Sequence, residues 1–274
     1  MELSALQLPP HHRAILNRFV TACQTDERIA AACLIGSYAK DTADAYSDLD
    51  LYLVINDEEF EGFLTERKAF MSLLGELLFL ENFGLPQVIF FVFADGTEGE
   101  INCGRVSDLP YFLYEPYQVL LDKKQLLAGL IPAAHAEDQA EAIETVRRQI
   151  NWFWHDLSHF IVALGRGQHH WAYGQLEALR HYCLNLARLQ QDIFDGDVGD
   201  EAFFKVEQTL AAATLAPLQA TYCPLEPAAM LQAVFILLPF YRERAITLAQ
   251  THHLPYPDAL DRVVSERLDK LSHA

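Results

Sequence analysis

The sequence is poor in cysteine, and its cysteines do not form the pairs that bridges or metal sites need. Five cysteines are scattered over 274 residues, and none belongs to a Cys-x-x-Cys pair. This spacing argues against a disulfide framework and against a zinc ribbon. A reducing compartment suits such a chain, so we predict a cytoplasmic protein.

Long apolar runs and targeting signals are also missing. The N-terminal stretch MELSALQLPPHH lacks the basic start and apolar core of a signal peptide. No apolar run reaches the roughly 18 residues that a membrane-spanning helix needs. We therefore predict no contact with a membrane.

Positive charge is scarce. The chain has 20 lysines and arginines against 38 aspartates and glutamates, a net charge of −18, and both halves are acidic. A negative field repels phosphate backbones and attracts cationic small molecules and metal ions. We therefore predict no nucleic acid partner, although acidity that serves solubility alone would give the same balance.

The arrangement of apolar residues predicts an α+β chain with two domains. Residues 1–131 alternate helical and strand-like segments and predict a mixed sheet with helices. The strand candidates are the runs IAAACLIG, LDLYLVI, QVIFFVFADG, EGEINCGRV and PYQVLLD, and the segment EEFEGFLTERKAFMSLLGELL has helical spacing. From residue 132 to residue 274 the apolar spacing is helical throughout, which predicts an all-α bundle. Its first long helix should end at Gly165.

The stretch LIGSYAKDTADAYSDLDLYLV, residues 34–54, contains the strongest chemical signal. Side chains alternate along a strand, so Asp48 and Asp50 should project to one side, about 6.5 to 7 Å apart. Two carboxylates on a half-buried face repel each other and lose solvation. A divalent cation removes both costs, and Mg²⁺ prefers carboxylate and phosphate oxygens. The pair therefore predicts a metal site that holds a polyphosphate.

The turn at Gly36 and Ser37 supports this interpretation. Glycine lets the backbone approach a ligand closely, and the residues after it offer N–H groups and a hydroxyl to phosphate oxygens. A strand, a Gly-Ser turn, a short helix and a strand with Asp-x-Asp together predict a nucleoside triphosphate site.

The sequence GSYAKDTADAYSDLDLYLV resembles the polymerase-β-like nucleotidyltransferase superfamily, and in particular its lincosamide and aminoglycoside nucleotidyltransferases. The resemblance implies transfer of a nucleoside monophosphate, AMP from ATP, to a hydroxyl of a small cationic antibiotic, with Mg²⁺ and release of pyrophosphate. It implies that Ser37 and Lys40 contact the triphosphate. The alternative for Lys40 is an exposed lysine of the loop. Asp41 departs from the pattern, because many relatives have glycine there. The sequence leaves open whether a homodimer completes the site, as some relatives require.

The resemblance also implies a third acid on a neighbouring strand. The candidates are Asp95, Glu98, Glu100 and Asp108. We favour Glu100, which lies inside a strand-like run, with Glu98 as the reserve, for completing the metal site or deprotonating the acceptor hydroxyl. Exposed acids on a hairpin are the alternative.

A cationic acceptor needs acids and aromatic walls. In residues 132–274 we predict Asp156 and Glu177 as substrate-binding residues, with Trp152, Trp154, Trp171 and Tyr173 as aromatic neighbours. The alternative for Glu177 is a surface ion-pair set with Arg180 and His181.

Other functions fit the sequence less well. The stretch HDLSH, residues 155–159, spaces two histidines for one metal, but it has Asp156 where metalloproteases have glutamate and no third ligand downstream. We therefore do not predict a zinc hydrolase, and we predict that the His11–His12 pair is polar surface. A regulatory or protein-modifying (AMPylating) module, or a toxin–antitoxin partner, remains the alternative to a small-molecule transferase.

Overall fold

The computed structural model describes residues 8–113, 116–130, 139–195, 198–199 and 202–273. The chain divides into two compact units, Met1–His135 and Ala136–Ala274, called here the N-terminal unit and the helical unit. The predicted boundary between residues 131 and 132 lies outside the described residues.

The N-terminal unit contains a six-stranded sheet. Its strands are β1 (Ile29–Leu34), β2 (Leu49–Ile55), β3 (Leu77–Glu81), β4 (Val88–Phe93), β5 (Glu98–Arg105) and β6 (Gln118–Asp122). They are ordered β3-β4-β5-β2-β1-β6. Strands β2 and β5 pair in parallel, and the other neighbours pair antiparallel. The sheet is therefore mixed, as predicted.

Alternation along β2 divides the two faces of the sheet. Leu51 and Leu53 belong to a large core that includes Phe19 of helix α1 (Pro10–Thr25) and Phe63 of helix α3 (Phe60–Ser72). Tyr52 and Val54 belong to a smaller core on the opposite face. The remaining helices of this unit are short: α2 (Gly36–Ala39), a 3₁₀ turn (Asp57–Glu59) and α4 (Leu109–Phe112).

One helix prediction was too long. The segment from Glu58 to Leu78 was predicted to be helical throughout, but α3 ends at Ser72 and β3 begins at Leu77. Gly75 lies between them, where an added Cβ would be 3.1 Å from the Phe93 side chain. Glycine weakens a helix, and a short leucine-rich run suits an edge strand as well as a helical turn. The segment Leu77–Glu81 forms a strand because it pairs with β4 in the sheet.

The helical unit contains α5 (Gln139–Gly165), α6 (His169–Leu189), α7 (Val206–Thr209), α8 (Ala212–Gln219), α9 (Pro227–Thr251) and α10 (Asp258–Ser272). Helix α5 ends at Gly165, as its apolar spacing predicted. The Phe153 and Tyr241 rings stack 3.6 Å apart in its core, and the Tyr241 hydroxyl donates to the Ile150 carbonyl over 2.6 Å. Trp154 is fully buried beside them.

Within the part of the chain that the structure describes, no helix combines the length and apolar character that crossing a bilayer requires. All five cysteines lie in described segments and are free thiols. Four are buried, so they pack as small apolar groups.

Candidate functional site

The two predicted aspartates lie at the start of β2. Asp48 precedes the strand and is exposed, and Asp50 is its second residue and half-buried. Because side chains alternate, Asp50 is on the same face of the sheet as Tyr52. The start of β2 therefore places the Asp50 carboxylate at the edge of the smaller core, which contains Tyr52.

Glu100 lies opposite Asp50. The two residues are register partners on the parallel strands β2 and β5. Register partners on adjacent strands share a face, and neighbouring strands are about 4.8 Å apart. The Asn102 side-chain amide donates a hydrogen bond of 2.5 Å to Glu100 Oε1 and orients this carboxylate. The parallel pairing thus brings a third acid beside the first two.

Charge is concentrated at this point. Burial raises the pKa of Glu100, and the negative charge of Asp48 raises this pKa further, against the hydrogen bond from Asn102. The raised pKa means that the ionised carboxylate is disfavoured by its surroundings. A divalent cation among these groups would reverse that penalty.

The other candidates for the third acid occupy different places. Glu98 is exposed and lines a pocket of about 270 Å³ together with Asp48 and Glu100. Asp95 lies in the β4–β5 turn, where its carboxylate accepts the backbone N–H of Thr97. Asp108 precedes α4, beyond the far end of β5. Glu98 and Glu100 are therefore the two that adjoin Asp48, and the choice of Glu100 stays a prediction.

Gly36 is in contact with Asp50. It has φ +64°, and a Cβ added to it would lie 1.9 Å from Asp50 Oδ2. The Ile35 N–H also donates to the Asp50 carbonyl over 2.9 Å. Only glycine leaves room for the carboxylate at this turn, so the Gly-Ser turn and the acid pair form one packed feature.

Ser37 follows directly in α2. Its hydroxyl oxygen is buried and has no hydrogen-bond partner among the described residues. A buried hydroxyl without a hydrogen-bond partner destabilises the ligand-free protein, because its hydrogen bonds to water are lost and not replaced. The hydroxyl is therefore available to a ligand oxygen.

The loop after α2 contains Asp41, the residue that departs from the family pattern, in a backbone conformation that favours glycine. Asp41 has φ +56°, in the left-handed region that glycine enters most easily and that aspartate tolerates. The side chain of Lys40 is exposed, and its backbone N–H donates to the Gly36 carbonyl over 3.1 Å. Its contact with a triphosphate stays a prediction.

The prediction that His12 is polar surface was wrong. His12 is buried, and its Nδ1 atom lies 2.9 Å from the Tyr38 hydroxyl. Asp48 is among the charges that act on both groups: burial, then Asp48, raises the pKa of Tyr38. This pair anchors α2 next to the carboxylates. Sequence reasoning had one available signal, that Tyr38 directly follows the Gly-Ser turn.

The predicted acceptor residue Asp156 is fixed by two neighbours. The Tyr182 hydroxyl donates to Asp156 Oδ2 over 2.7 Å, and His155 Nδ1 lies 2.7 Å from Oδ1. Trp152 and Trp171 are exposed near this group, whereas Trp154 is buried in the core and offers no wall to a ligand. The role of Asp156 in substrate binding stays a prediction.

Glu177 pairs with Arg180. This is not a surface set, because Arg180 is buried and donates to the Thr221 hydroxyl and carbonyl over 2.9 and 2.8 Å. The alternative of a surface ion pair was therefore wrong for Arg180. Glu177 supplies the counter-charge of a buried cation, and its role toward an acceptor stays a prediction.

The HDLSH stretch brings its polar groups together. Ligand atoms of His155, Asp156 and His159 lie within 4.8 Å of one another. Asp156 serves here as a neighbour of the histidines and as the acceptor for Tyr182. The prediction that this stretch does not form a zinc hydrolase site stays a prediction.

Comparisons with known proteins gave a family match and a similar solved structure. A family model described as streptomycin adenylyltransferase matches residues 11–271. None of the curated protein sequences matches the chain. A crystal structure of an aminoglycoside 6-adenyltransferase from Bacillus subtilis is similar over 97% of this chain and 100% of its own, with 15% identity and a TM-score of 0.46.

Proposed function

Because the chain belongs to the streptomycin adenylyltransferase family, we propose that it transfers AMP from ATP to a hydroxyl group of an aminoglycoside and requires Mg²⁺. The chain is a nucleotidyltransferase of the kind that modifies antibiotics. The donor, the metal and the acceptor are the proposed parts.

One observation supports this proposal most directly: the Asp50 carboxylate packs against the Gly36 turn and faces Glu100 across β2 and β5. A turn that admits only glycine lets the Asp50 carboxylate lie directly against the backbone. Carboxylates directly beside it are suited to a cation that accompanies the phosphates.

The residues fit Mg²⁺. Asp48, Asp50 and Glu100 offer the hard oxygen ligands that this ion prefers, and the charge of Asp48 raises the pKa of Glu100, a penalty that a bound cation would offset. When bound, Mg²⁺ would neutralise charge on the phosphate oxygens.

The chain's own groups position the reactants. Gly36 leaves room for the Asp50 carboxylate beside the turn, and the Ser37 hydroxyl donates to a phosphate oxygen. The acceptor hydroxyl attacks the α-phosphorus and pyrophosphate leaves. Holding both reactants in one orientation supplies much of the acceleration in such reactions. The chain's net charge of −18 attracts a polycationic acceptor.

A turnover panel tests the proposal. The purified chain is incubated with ATP, GTP, CTP or UTP, with and without Mg²⁺, and with streptomycin, other aminoglycosides and lincosamides, and pyrophosphate release is measured. We expect release only with ATP, Mg²⁺ and an aminoglycoside, with the acceptor gaining the mass of AMP.

Two outcomes would contradict the proposal. One is the absence of release with every aminoglycoside. The other is transfer of label from ATP to protein in a lysate with none to an aminoglycoside, which would favour the protein-modifying alternative. Pyrophosphate release with lincosamides alone would support nucleotidyl transfer but would contradict an aminoglycoside as the acceptor.

Ser37→Ala separates nucleotide binding from stability. We expect the KM for ATP to rise about 10- to 100-fold, because a hydrogen bond to a charged group contributes about 1.5–3 kcal/mol. The free energy of unfolding should not fall, because the lost hydroxyl has no partner among the described residues. Steady-state kinetics and urea unfolding measure the two quantities.

Ser72→Ala is the control, because the Ser72 hydroxyl donates to the Lys68 carbonyl on the exposed surface of α3. It should leave the KM for ATP unchanged. An unchanged KM in Ser37→Ala would show that this hydroxyl does not contact the nucleotide.

A further inference from the structure

Three phenylalanines form an exposed aromatic cluster on β3, β4 and the turn that joins them. We call Phe79, Phe83 and Phe90 the phenylalanine surface. The Phe83 ring centroid lies 6.1 Å from that of Phe79 and 5.1 Å from that of Phe90. Phe79 is 43% exposed and Phe83 is 67% exposed. A contiguous exposed patch of large apolar side chains is typical of a binding site.

The backbone at Phe83 adds to this evidence. Phe83 has φ +47°, a left-handed conformation that is rare for a bulky residue. Such strain persists where the surroundings hold it and gathers at ligand sites. The conformation places an aromatic side chain at a turn that glycine would occupy more easily.

The phenylalanine surface adjoins the carboxylates. Phe90 is the register partner of Glu100, and Val92 is the register partner of both Glu98 and Phe79. These side chains therefore share one face of the sheet. The pocket of about 270 Å³ is lined by the phenylalanine surface together with Asp48, Glu98 and Glu100.

The strand order separates this pocket from the nucleotide turn. Gly36 follows β1, whereas the phenylalanine surface belongs to β3 and β4, and the order is β3-β4-β5-β2-β1-β6. Asp50 and Glu100 lie on the two strands between them. In phosphoryl transfer the attacking and leaving oxygens are roughly in line. With the triphosphate at Gly36, an acceptor bound at the phenylalanine surface would lie on the other side of Asp50 and Glu100 from the nucleotide turn.

Resting on the proposed transfer to a polycation, we propose that the phenylalanine surface and Glu98 bind an ammonium or guanidinium group of the acceptor. Aromatic faces attract such cations through their negative quadrupole, and Glu98 supplies a full opposite charge. A nucleobase would gain from the rings but not from the three acids of this pocket. The phenylalanine surface thus binds the acceptor, and the nucleotide binds at the Gly-Ser turn.

Phe83→Ala tests this assignment with streptomycin as the acceptor. We expect the KM for streptomycin to rise about 5- to 20-fold, the range of a partly exposed cation–π contact. The KM for ATP and kcat should change less than about 2-fold, because two strands, β5 and β2, lie between the phenylalanine surface and the strand that leads to Gly36. Phe83→Trp keeps an aromatic face and should retain the wild-type KM for streptomycin.

Phe235→Ala is the matched control, because Phe235 is 40% exposed in helix α9 and its loss removes an equal ring elsewhere. It should change none of these constants. A Phe83→Ala protein with an unchanged KM for streptomycin would overturn the proposal. A rise in the KM for ATP instead would assign the rings to the nucleobase and would also overturn it.

Failure of the proposed function can be told apart from failure of this subsite. If the wild-type chain releases no pyrophosphate with any aminoglycoside, the proposed function fails. Calorimetric titration of streptomycin into wild type and Phe83→Ala then decides the subsite: weaker binding to Phe83→Ala supports it, and equal or undetectable binding to both contradicts it.

Discussion

Asp50→Asn should lower kcat by at least about 10³-fold while leaving the protein folded. Asparagine keeps the size of the side chain and removes its charge, so the proposed metal site loses a fully charged oxygen ligand. Electrostatic stabilisation of a transferring phosphoryl group amounts to several kcal/mol, and each 1.36 kcal/mol is about tenfold in rate. Pyrophosphate release under saturating ATP, Mg²⁺ and aminoglycoside measures the loss, and circular dichroism checks the fold.

Asp269→Asn is the control for Asp50→Asn. Asp269 is an exposed aspartate of helix α10, and its substitution makes the same chemical change outside the candidate site. We expect wild-type kcat in this variant. A kcat for Asp50→Asn within tenfold of wild type would defeat the assignment of the acid pair as metal ligands.

Gly36→Ala should lower kcat by about 10²-fold or more, although it adds a single methyl group. The new Cβ would lie 1.9 Å from Asp50 Oδ2, so the carboxylate must move away from the turn. A displacement of about 1 Å in a reacting group is enough for a 10²-fold loss. The same assay measures kcat, and urea unfolding measures stability.

Gly167→Ala is the control that separates the clash with Asp50 from the free-energy cost of a left-handed backbone conformation in alanine. Gly167 has φ +67°, close to the +64° of Gly36, and an added Cβ there meets nothing within 4 Å. Both variants should lose about 1–2 kcal/mol of stability from the left-handed conformation. Only Gly36→Ala should lose activity. Equal kcat in the two variants would mean that the contact between Gly36 and Asp50 does not matter for the reaction.

The parts of the site that lie close together in the sequence could be predicted. Gly36, Ser37, Asp48 and Asp50 fall within 15 residues, and the alternation of a strand predicts both acids on one face. Asp48 lies just before β2, so the shared face of the two acids stays a prediction. The partner across the sheet could be narrowed to Glu98 or Glu100. What brings Glu100 opposite Asp50 is the parallel register of β2 and β5, which depends on contacts distant in sequence.

Features that depend on tertiary packing could not be predicted. The leucine-rich run at β3 continues a helical pattern, and only its pairing with β4 makes it a strand. The phenylalanine surface depends on that pairing, because it joins Phe79 to Phe90. Likewise, the alternative interpretation of Glu177 placed Arg180 at the surface, yet the hydroxyl and carbonyl of Thr221 allow its burial.

The distribution of tryptophan has an optical consequence. All three tryptophans, Trp152, Trp154 and Trp171, belong to the helical unit, one sealed in its interior and two at its surface. Intrinsic tryptophan emission therefore reports on the helical unit, because the sequence of the N-terminal unit contains no tryptophan. The Phe83→Trp protein would carry one tryptophan in the N-terminal unit, and its fluorescence would report on the sheet.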